Sequence, residues 1–249
     1  ITWESKAGQP KTVNLKPGNY VLEETAAPKG YIAITNVEFT VNDDTTVTVT
    51  KTTTTGKVVF GDDGTVKIMD DANPVKVTFK KTDITGSNEV ENADLKITGR
   101  EVGASEDIKD ITWTSRKGEE KTVDLKPGKY HLEETAAPNG YVAITKVDFE
   151  VEADGTITVT NQTTTGDVEV ADGVVTIKDD YVTRTYHFKK TDITGTSEVD
   201  KADLEITGRE KNAKQDIKPI SWTSDTSTSG KTVELKPGEY TLKETAAPD

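Results

Sequence analysis

Tyr130-His131-Leu132-Glu133-Glu134-Thr135-Ala136-Ala137-Pro138-Asn139-Gly140-Tyr141 reads as a strand that runs into a tight turn. Successive side chains of a strand point to opposite faces. Tyr130, Leu132 and Glu134 therefore share one face, and His131 and Glu133 the other. The first face is apolar and goes into a core. Glu134 is a carboxylate sent inward, and a buried acid requires a partner or a proton. The same stretch occurs from Tyr20 to Tyr31, with Glu24 in the inward place, and again from Tyr240, with Glu244.

These three glutamates are spaced 110 residues apart. Phe-Lys-Lys-Thr-Asp-Ile-Thr-Gly begins at Phe79 and again at Phe188, and Trp3, Trp113 and Trp222 close Ile-Thr-Trp, Ile-Thr-Trp and Ile-Ser-Trp. Such a period is too long for a solenoid unit and suits a whole domain. The expected organisation is the later part of a first repeat in residues 1–72, a complete repeat in 73–181 and the opening part of a third in 182–249. The links, Asn73-Pro74 and Tyr181 to Arg184, are not Gly/Ser tethers, so a stiff rod is expected. Ile1 opens the chain without methionine and the last motif stops short. An internal slice of a longer protein is expected, with targeting and anchoring signals outside it.

Within the complete repeat the pattern is β throughout. Candidate strands are 75–82, 94–98, 110–114, 121–125, 129–135, 145–151, 156–160, 166–170 and 174–180. Lys126-Pro127-Gly128 and Pro138-Asn139-Gly140 are tight turns, and Asp154-Gly155 and Asp172-Gly173 are hairpin signals. No segment keeps a 3.6-residue apolar period. The class is all-β: tandem Ig-like Greek-key sandwiches in a rod.

Two other strands carry an apolar face that ends in charge. Val75, Val77 and Phe79 are followed on the same parity by Lys81, and Tyr186 and Phe188 by Lys190. Val175 and Ile177 are followed by Asp179, and Val66 and Ile68 by Asp70. A lysine, a glutamate and an aspartate thus arrive inside one sandwich. They can form a buried ion triad, which is weak evidence of stability because desolvation offsets the Coulombic gain. They can also react. A lysine desolvated in an apolar core is readily made a nucleophile. A neighbouring glutamate of raised pKa can hold a proton, polarise the aspartate carbonyl and shuttle protons. Attack of the amine on the carboxyl expels water and leaves an amide.

Phe-Lys-Lys-Thr-Asp near the start, the Glu-Thr-Ala-Ala-Pro-x-Gly-Tyr box, Val-Thr-Ile-Lys-Asp-Asp-Tyr at 175–181 and Glu-Asn-Ala-Asp-Leu-Lys-Ile-Thr-Gly at 91–99 resemble the collagen-adhesin B-type (Cna-B, SpaA-like pilin) domain. The resemblance covers the complete repeat and both fragments. It implies extracellular stalks and pili of Gram-positive bacteria, anchored to the cell wall and cross-linked by spontaneous isopeptide bonds. On the matching motifs, Lys81 is the amine, Glu134 the catalytic acid and Asp179 the acceptor, with Lys190, Glu24, Glu244 and Asp70 as equivalents. Many members use asparagine as acceptor, so aspartate here changes the leaving group from ammonia to water. Strand parity selects Asp179, whereas register against the family's Asp-x-Tyr ending selects Asp180. Parity favours Asp179, because an outward aspartate does not reach a core lysine. The first fragment has Glu24 and Asp70 without an opening lysine strand. The third has Lys190 and Glu244 without a closing aspartate strand.

Composition narrows the rest. Of 249 residues, 32% are hydrophobic and 6% aromatic, which is lean for one large core and suits several small β domains. There is no cysteine, so disulfides cannot brace those cores. A net charge of −13 argues against nucleic acid and anionic membranes as partners, and no apolar run approaches membrane-spanning length. The acidic turns at Asn42-Asp43-Asp44, Asp62-Asp63-Gly64 and Asp154-Gly155 fit no EF-hand spacing and read as hairpin turns, so no metal site is assigned. His131 and His187 face outward on separate strands, which disfavours a histidine site. Trp113 offers a sugar platform but more often such a residue packs on a sheet. Thr52 to Thr55 and Thr163 to Thr165 read as exposed loops or edges, and Asn161-Gln162-Thr163 matches a glycosylation sequon. With no phosphate loop, no Ser-His-Asp set and no cofactor motif, a turnover enzyme is not expected. Near-identical repeats favour a structural stalk, partnered by its own neighbouring repeats and by a host ligand bound through a tip domain outside this slice. The alternatives are a ligand-binding adhesin module that grips a host protein or glycan and, less favoured, an accessory module of a secreted glycosidase.

Overall fold

A computed structural model describes residues 1–34, 36–52, 55–144, 146–162, 166–228 and 230–247. Thr53, Thr54, Thr145 and Thr163–Thr165 lie outside the described residues, and with them half of the first threonine run, all of the second and the end of the sequon. Among the described residues every regular element is a strand. The chain divides into two compact units. One comprises Ile1–Val75, Leu125–Pro127 and Val151–Thr156, and the other Lys76–Asp124, Gly128–Glu150 and Ile157–Asp249.

In the first unit β1 (Gly18–Leu22), β3 (Val37–Val41) and β4 (Val47–Thr52) form an antiparallel sheet in the order β1-β3-β4. β2 (Tyr31–Ile32) pairs with β7 (Asp71–Ala72), and β5 (Lys57–Phe60) with β6 (Val66–Met69). Ile34 and Val37 are buried, and Phe39 packs between Tyr20 and Phe60 at ring-centroid distances of 5.7 and 5.1 Å.

The stretch expected to form a complete repeat contributes β8 (Val75–Asp83), β9 (Asp94–Glu101), β10 (Ile111–Thr114), β11 (Lys121–Leu125), β12 (Gly128–Ala136), β13 (Tyr141–Val142), β14 (Val147–Val151), β15 (Ile157–Gln162), β16 (Asp167–Ala171) and β17 (Val174–Tyr181). They make two five-stranded sheets. One runs β10-β9-β12-β14-β15; the other runs β11-β8-β17-β13, with β16 also paired to β17. β8 and β17, the first and last strands, lie side by side and parallel. The sequence pattern did not reveal β13, which is two residues long and pairs Tyr141 and Val142 with Tyr181 and Asp180. β9 also runs on to Glu101, past the expected end at 98. Later in the second unit, β19 (Asp203–Glu210) lies between β20 (Ile220–Thr223) and β22 (Gly238–Ala246), and β18 (Arg184–Phe188) pairs with β21 (Lys231–Leu235).

Alternation places the core. On β8 Val77, Phe79 and Lys81 are buried; on β12 Tyr130, Leu132 and Glu134; on β17 Val175, Ile177 and Asp179. Phe149 of β14 closes the centre, 5.5 Å from the ring of Tyr130 and 6.0 Å from that of Phe79 in the opposite sheet. Phe149→Ala is expected to cost about 3–5 kcal/mol, read from denaturant unfolding, because the cavity opens between two sheets that cannot both collapse into it. Tyr130 needs a glycine opposite it. At Gly99, φ is +142° and a β-carbon would come 2.4 Å from the Lys129 carbonyl oxygen and 2.7 Å from the Tyr130 Cα. Gly208 repeats this against Glu239 and Tyr240.

Candidate functional site: a buried lysine and two acids

Three strands from both sheets deliver the site. Lys81 sits near the end of β8, and in the parallel register it lies opposite Ile177, two residues before Asp179 on β17. Glu134 comes from β12 in the other sheet. The side chains of Lys81, Glu134 and Asp179 are 3%, 0% and 0% exposed. Lys81 Nζ is 3.5 Å from Glu134 Oε2 and in direct contact with Asp179 Oδ1. Asp180, the other acid considered, is turned to the opposite face and pairs with Lys236 at 2.8 Å.

The backbone clamps Glu134. Its N–H donates to the carbonyl of Ile144 at 3.0 Å, and its Oε2 accepts the N–H of Ile144 at 2.9 Å. Ile144 itself is fully buried. This positioning residue is absent from the motif reading, although Ala-Ile-Thr recurs at 33–35 and 143–145. The same clamp holds Glu24, whose N–H donates to the Ile34 carbonyl at 2.7 Å and whose Oε2 accepts the Ile34 N–H at 3.1 Å.

Burial pushes the Glu134 carboxyl up to about 7, against the opposing pull of Lys81 and of the Ile144 N–H; the adjacent Asp179 carboxylate adds to the rise. Burial likewise raises Asp179, opposed mainly by Lys81. Near neutral pH the site therefore holds protonated Glu134 in a sizeable fraction of molecules, next to a lysine amine and an aspartate carboxyl. That is the set an intramolecular condensation requires: nucleophile, acceptor and proton carrier, held away from water.

The equivalents are placed apart from one another in pairs. In the first unit Asp70 is raised by burial and by the nearby Glu24. In the second unit Lys190 Nζ is 3.2 Å from Glu244 Oε2, with side chains 28% and 36% exposed. Other expected positions take ordinary roles. Asp44, Asp63 and Asp154 each accept the backbone N–H two residues on, at 2.9–3.0 Å, and so close their own turns. His131 is exposed, with Nδ1 2.5 Å from Asp148, and His187 lies 3.0 Å from the Thr232 hydroxyl. Trp113 packs on Phe79 at 5.5 Å. Among the described residues no three His, Cys, Asp or Glu side chains stand together as a metal site.

The model of the SpaA prealbumin-like fold domain matches residues 2–57, 75–165 and 184–249, most of the chain in three successive segments. The chain belongs to this SpaA domain family. No curated protein matches it. Among solved structures, the pilus adhesin SpaC of Lactobacillus rhamnosus GG is 21% identical over 67% of this chain, with a TM-score of 0.37; the chain spans 25% of that protein. A C-terminal fragment of SpaC is 19% identical over 67% of this chain and 77% of the fragment, with a TM-score of 0.36. The pilus adhesin RrgA of Streptococcus pneumoniae is 14% identical over 60% of this chain and 20% of its own, with a TM-score of 0.35. In this SpaA-domain chain, β8–β17 carry all three members of the buried set.

Proposed function

We propose that these SpaA domains are stalk repeats of a Gram-positive surface adhesin or pilin, each braced by an amide between a lysine on its first strand and an aspartate on its last. The observation that carries this is the dry contact of Lys81 with Asp179 beside a glutamate whose pKa has risen to about 7. Unreacted, the set is a costly burial of three ionisable groups. Reaction removes the charges of two of them.

The steps balance. The Lys81 ammonium passes one proton to the Asp179 carboxylate, which leaves a neutral amine and a carboxylic acid. Protonated Glu134 donates a hydrogen bond to the Asp179 carbonyl oxygen as Nζ attacks the carbonyl carbon. A proton moves from nitrogen through Glu134 to the departing hydroxyl, which leaves as water. Glu134 ends as it began, protonated, and Lys81 and Asp179 share a neutral amide. The chain is not a turnover enzyme: the chemistry occurs once per repeat and needs no metal or cofactor in these steps. The amide gives a cysteine-free extracellular module a brace that does not depend on an oxidising compartment. In this reading the repeats 1–72, 73–181 and 182–249 are serial units of a wall-anchored protein, and a host ligand is met by a tip domain elsewhere.

The test is the intact mass of the chain. It is expected to be one water lighter than the sequence requires, since only the middle repeat has Lys81, Glu134 and Asp179 together. Lys81→Ala restores the full mass. A wild-type chain of full mass ends the proposal.

A further inference from the structure

The acid next to the acceptor has its own partner. Asp180 follows Asp179 and points to the other face of β17. Its Oδ1 and Oδ2 accept from Lys236 Nζ at 3.0 and 2.8 Å, and Oδ1 also accepts the N–H of Tyr181 at 2.8 Å. Lys236 opens the Lys236-Pro237-Gly238 turn of the following repeat. One repeat earlier the arrangement recurs. Asp71, which follows Asp70, accepts from Lys126 Nζ at 3.0 and 2.9 Å and from the N–H of Ala72 at 2.9 Å. Lys126 opens the Lys126-Pro127-Gly128 turn. The links beside these two pairs differ, Asn73-Pro74 in one and Val182-Thr183 in the other. The pairing is therefore not a by-product of one linker sequence. All four side chains are a third exposed or less, so solvent screens them incompletely.

Each pair is reinforced by a second contact. Asn212 of the last repeat donates from Nδ2 to Asp83 Oδ2 at 2.8 Å and to the Tyr181 hydroxyl at 2.9 Å; that hydroxyl donates to Asp83 Oδ2 at 3.2 Å. Asp83 is fully buried, and Lys211 Nζ lies 5.9 Å from the Tyr181 ring centre. Beside the earlier pair, Gly30 approaches Ala153 so closely that a β-carbon there would be 2.0 Å from the Ala153 carbonyl oxygen. A glycine is required at that contact.

We propose that this is a docking joint between repeats. The lysine of each Lys-Pro-Gly turn seats the repeat on the aspartate that follows the isopeptide acceptor of the repeat before it. The partner of the surface is another repeat of the same kind. The inference rests on the stalk reading of the chain but not on the amide having formed. Adjacent residues of one strand then serve two ends: Asp179 ties the strand into its own sandwich and Asp180 receives the next repeat. Such a contact limits hinging at the link and passes load directly from the braced strand to its neighbour.

Amide hydrogen exchange on the full chain tests it. The N–H of Asn73 donates to the Gly30 carbonyl at 2.8 Å and that of Val182 to the Gly140 carbonyl at 2.9 Å, so each link carries its own reporter. Lys236→Met is expected to speed exchange at Val182 by about tenfold or more and leave Asn73 unchanged, and Lys126→Met to do the reverse. The charge swap D180K with K236D is expected to restore slow exchange at Val182. Wild-type exchange at both reporters in both lysine variants, or failure of the swap to rescue, overturns the joint. Intact mass on the same samples reports the amide separately. A wild-type chain without the water deficit overturns the amide, while the exchange data still decide the joint.

Discussion

Glu134→Gln is expected to leave the sandwich folded and the Lys81–Asp179 amide unmade. Glutamine matches the shape of glutamate, and its carbonyl can still accept the Ile144 N–H that Oε2 accepts at 2.9 Å. What it cannot do is carry a proton. A positioned acid–base group contributes about 10²- to 10⁴-fold in rate, so the amide should be absent from freshly folded chain or appear over a much longer time. Intact mass follows this directly. The consequence for stability is large. Lys81 and Asp179 are 98 residues apart, and in the loop-closure picture a cross-link of that span is worth about 4–5 kcal/mol. For a domain of this size that corresponds to a fall in melting temperature of roughly 15–20 °C. The glutamine variant is the sharper test than Lys81→Ala, which also strands two buried acids and opens a cavity. If the glutamine variant lacks one water as readily as wild type, Glu134 has no part in the chemistry.

The second large effect is on pH. The reacting state holds protonated Glu134, and the carboxyl pKa has been pushed up to about 7 by burial. Above that value the fraction of protonated Glu134 falls about tenfold per pH unit, and the rate of amide formation is expected to fall with it. At low pH Asp179 is already protonated and no longer takes up the proton that the amine must lose, so the rate falls again; burial raises Asp179 and moves that limb upward from an ordinary aspartate. Chain isolated unfolded, then folded by dilution across the range from about pH 5 to 9, should show an upper limb near 7 by timed intact mass. A rate that is flat across pH 7 would remove Glu134 as proton carrier. The sign for stability follows the same shift. Because the folded-state pKa of Glu134 lies above its ordinary value of 4.5, its contribution to the unjoined fold is fully present below about 4.5. That contribution is lost as pH rises through about 7. Joining removes Lys81 and Asp179 from the titration but leaves Glu134, whose buried carboxyl then loses the opposing pull of the Lys81 charge.

The inward placement of the charged residues was legible in the chain itself. Alternation is a local property with a period of two, and a single apolar face sets it for a whole strand. It put Lys81, Glu134 and Asp179 on buried faces and Asp180 on the opposite one. The 110-residue spacing of Glu24, Glu134 and Glu244 was equally plain in the chain. The clamp by Ile144 was not legible, because a backbone N–H has no signature in a side-chain pattern. Nor was β13, whose two residues are too few to show a period.

What alternation leaves open is which strands meet. The parallel pairing of β8 with β17 brings Lys81 to Asp179 across nearly the whole repeat. That neighbour relation is long-range: it follows from how two sheets close over Phe79, Tyr130 and Phe149, not from any short run of residues. The pairing of Asp71 with Lys126 and of Asp180 with Lys236 has the same character. Sequence decided which side chains turn inward, since strand geometry does so residue by residue; only the packed fold decided which of them touch.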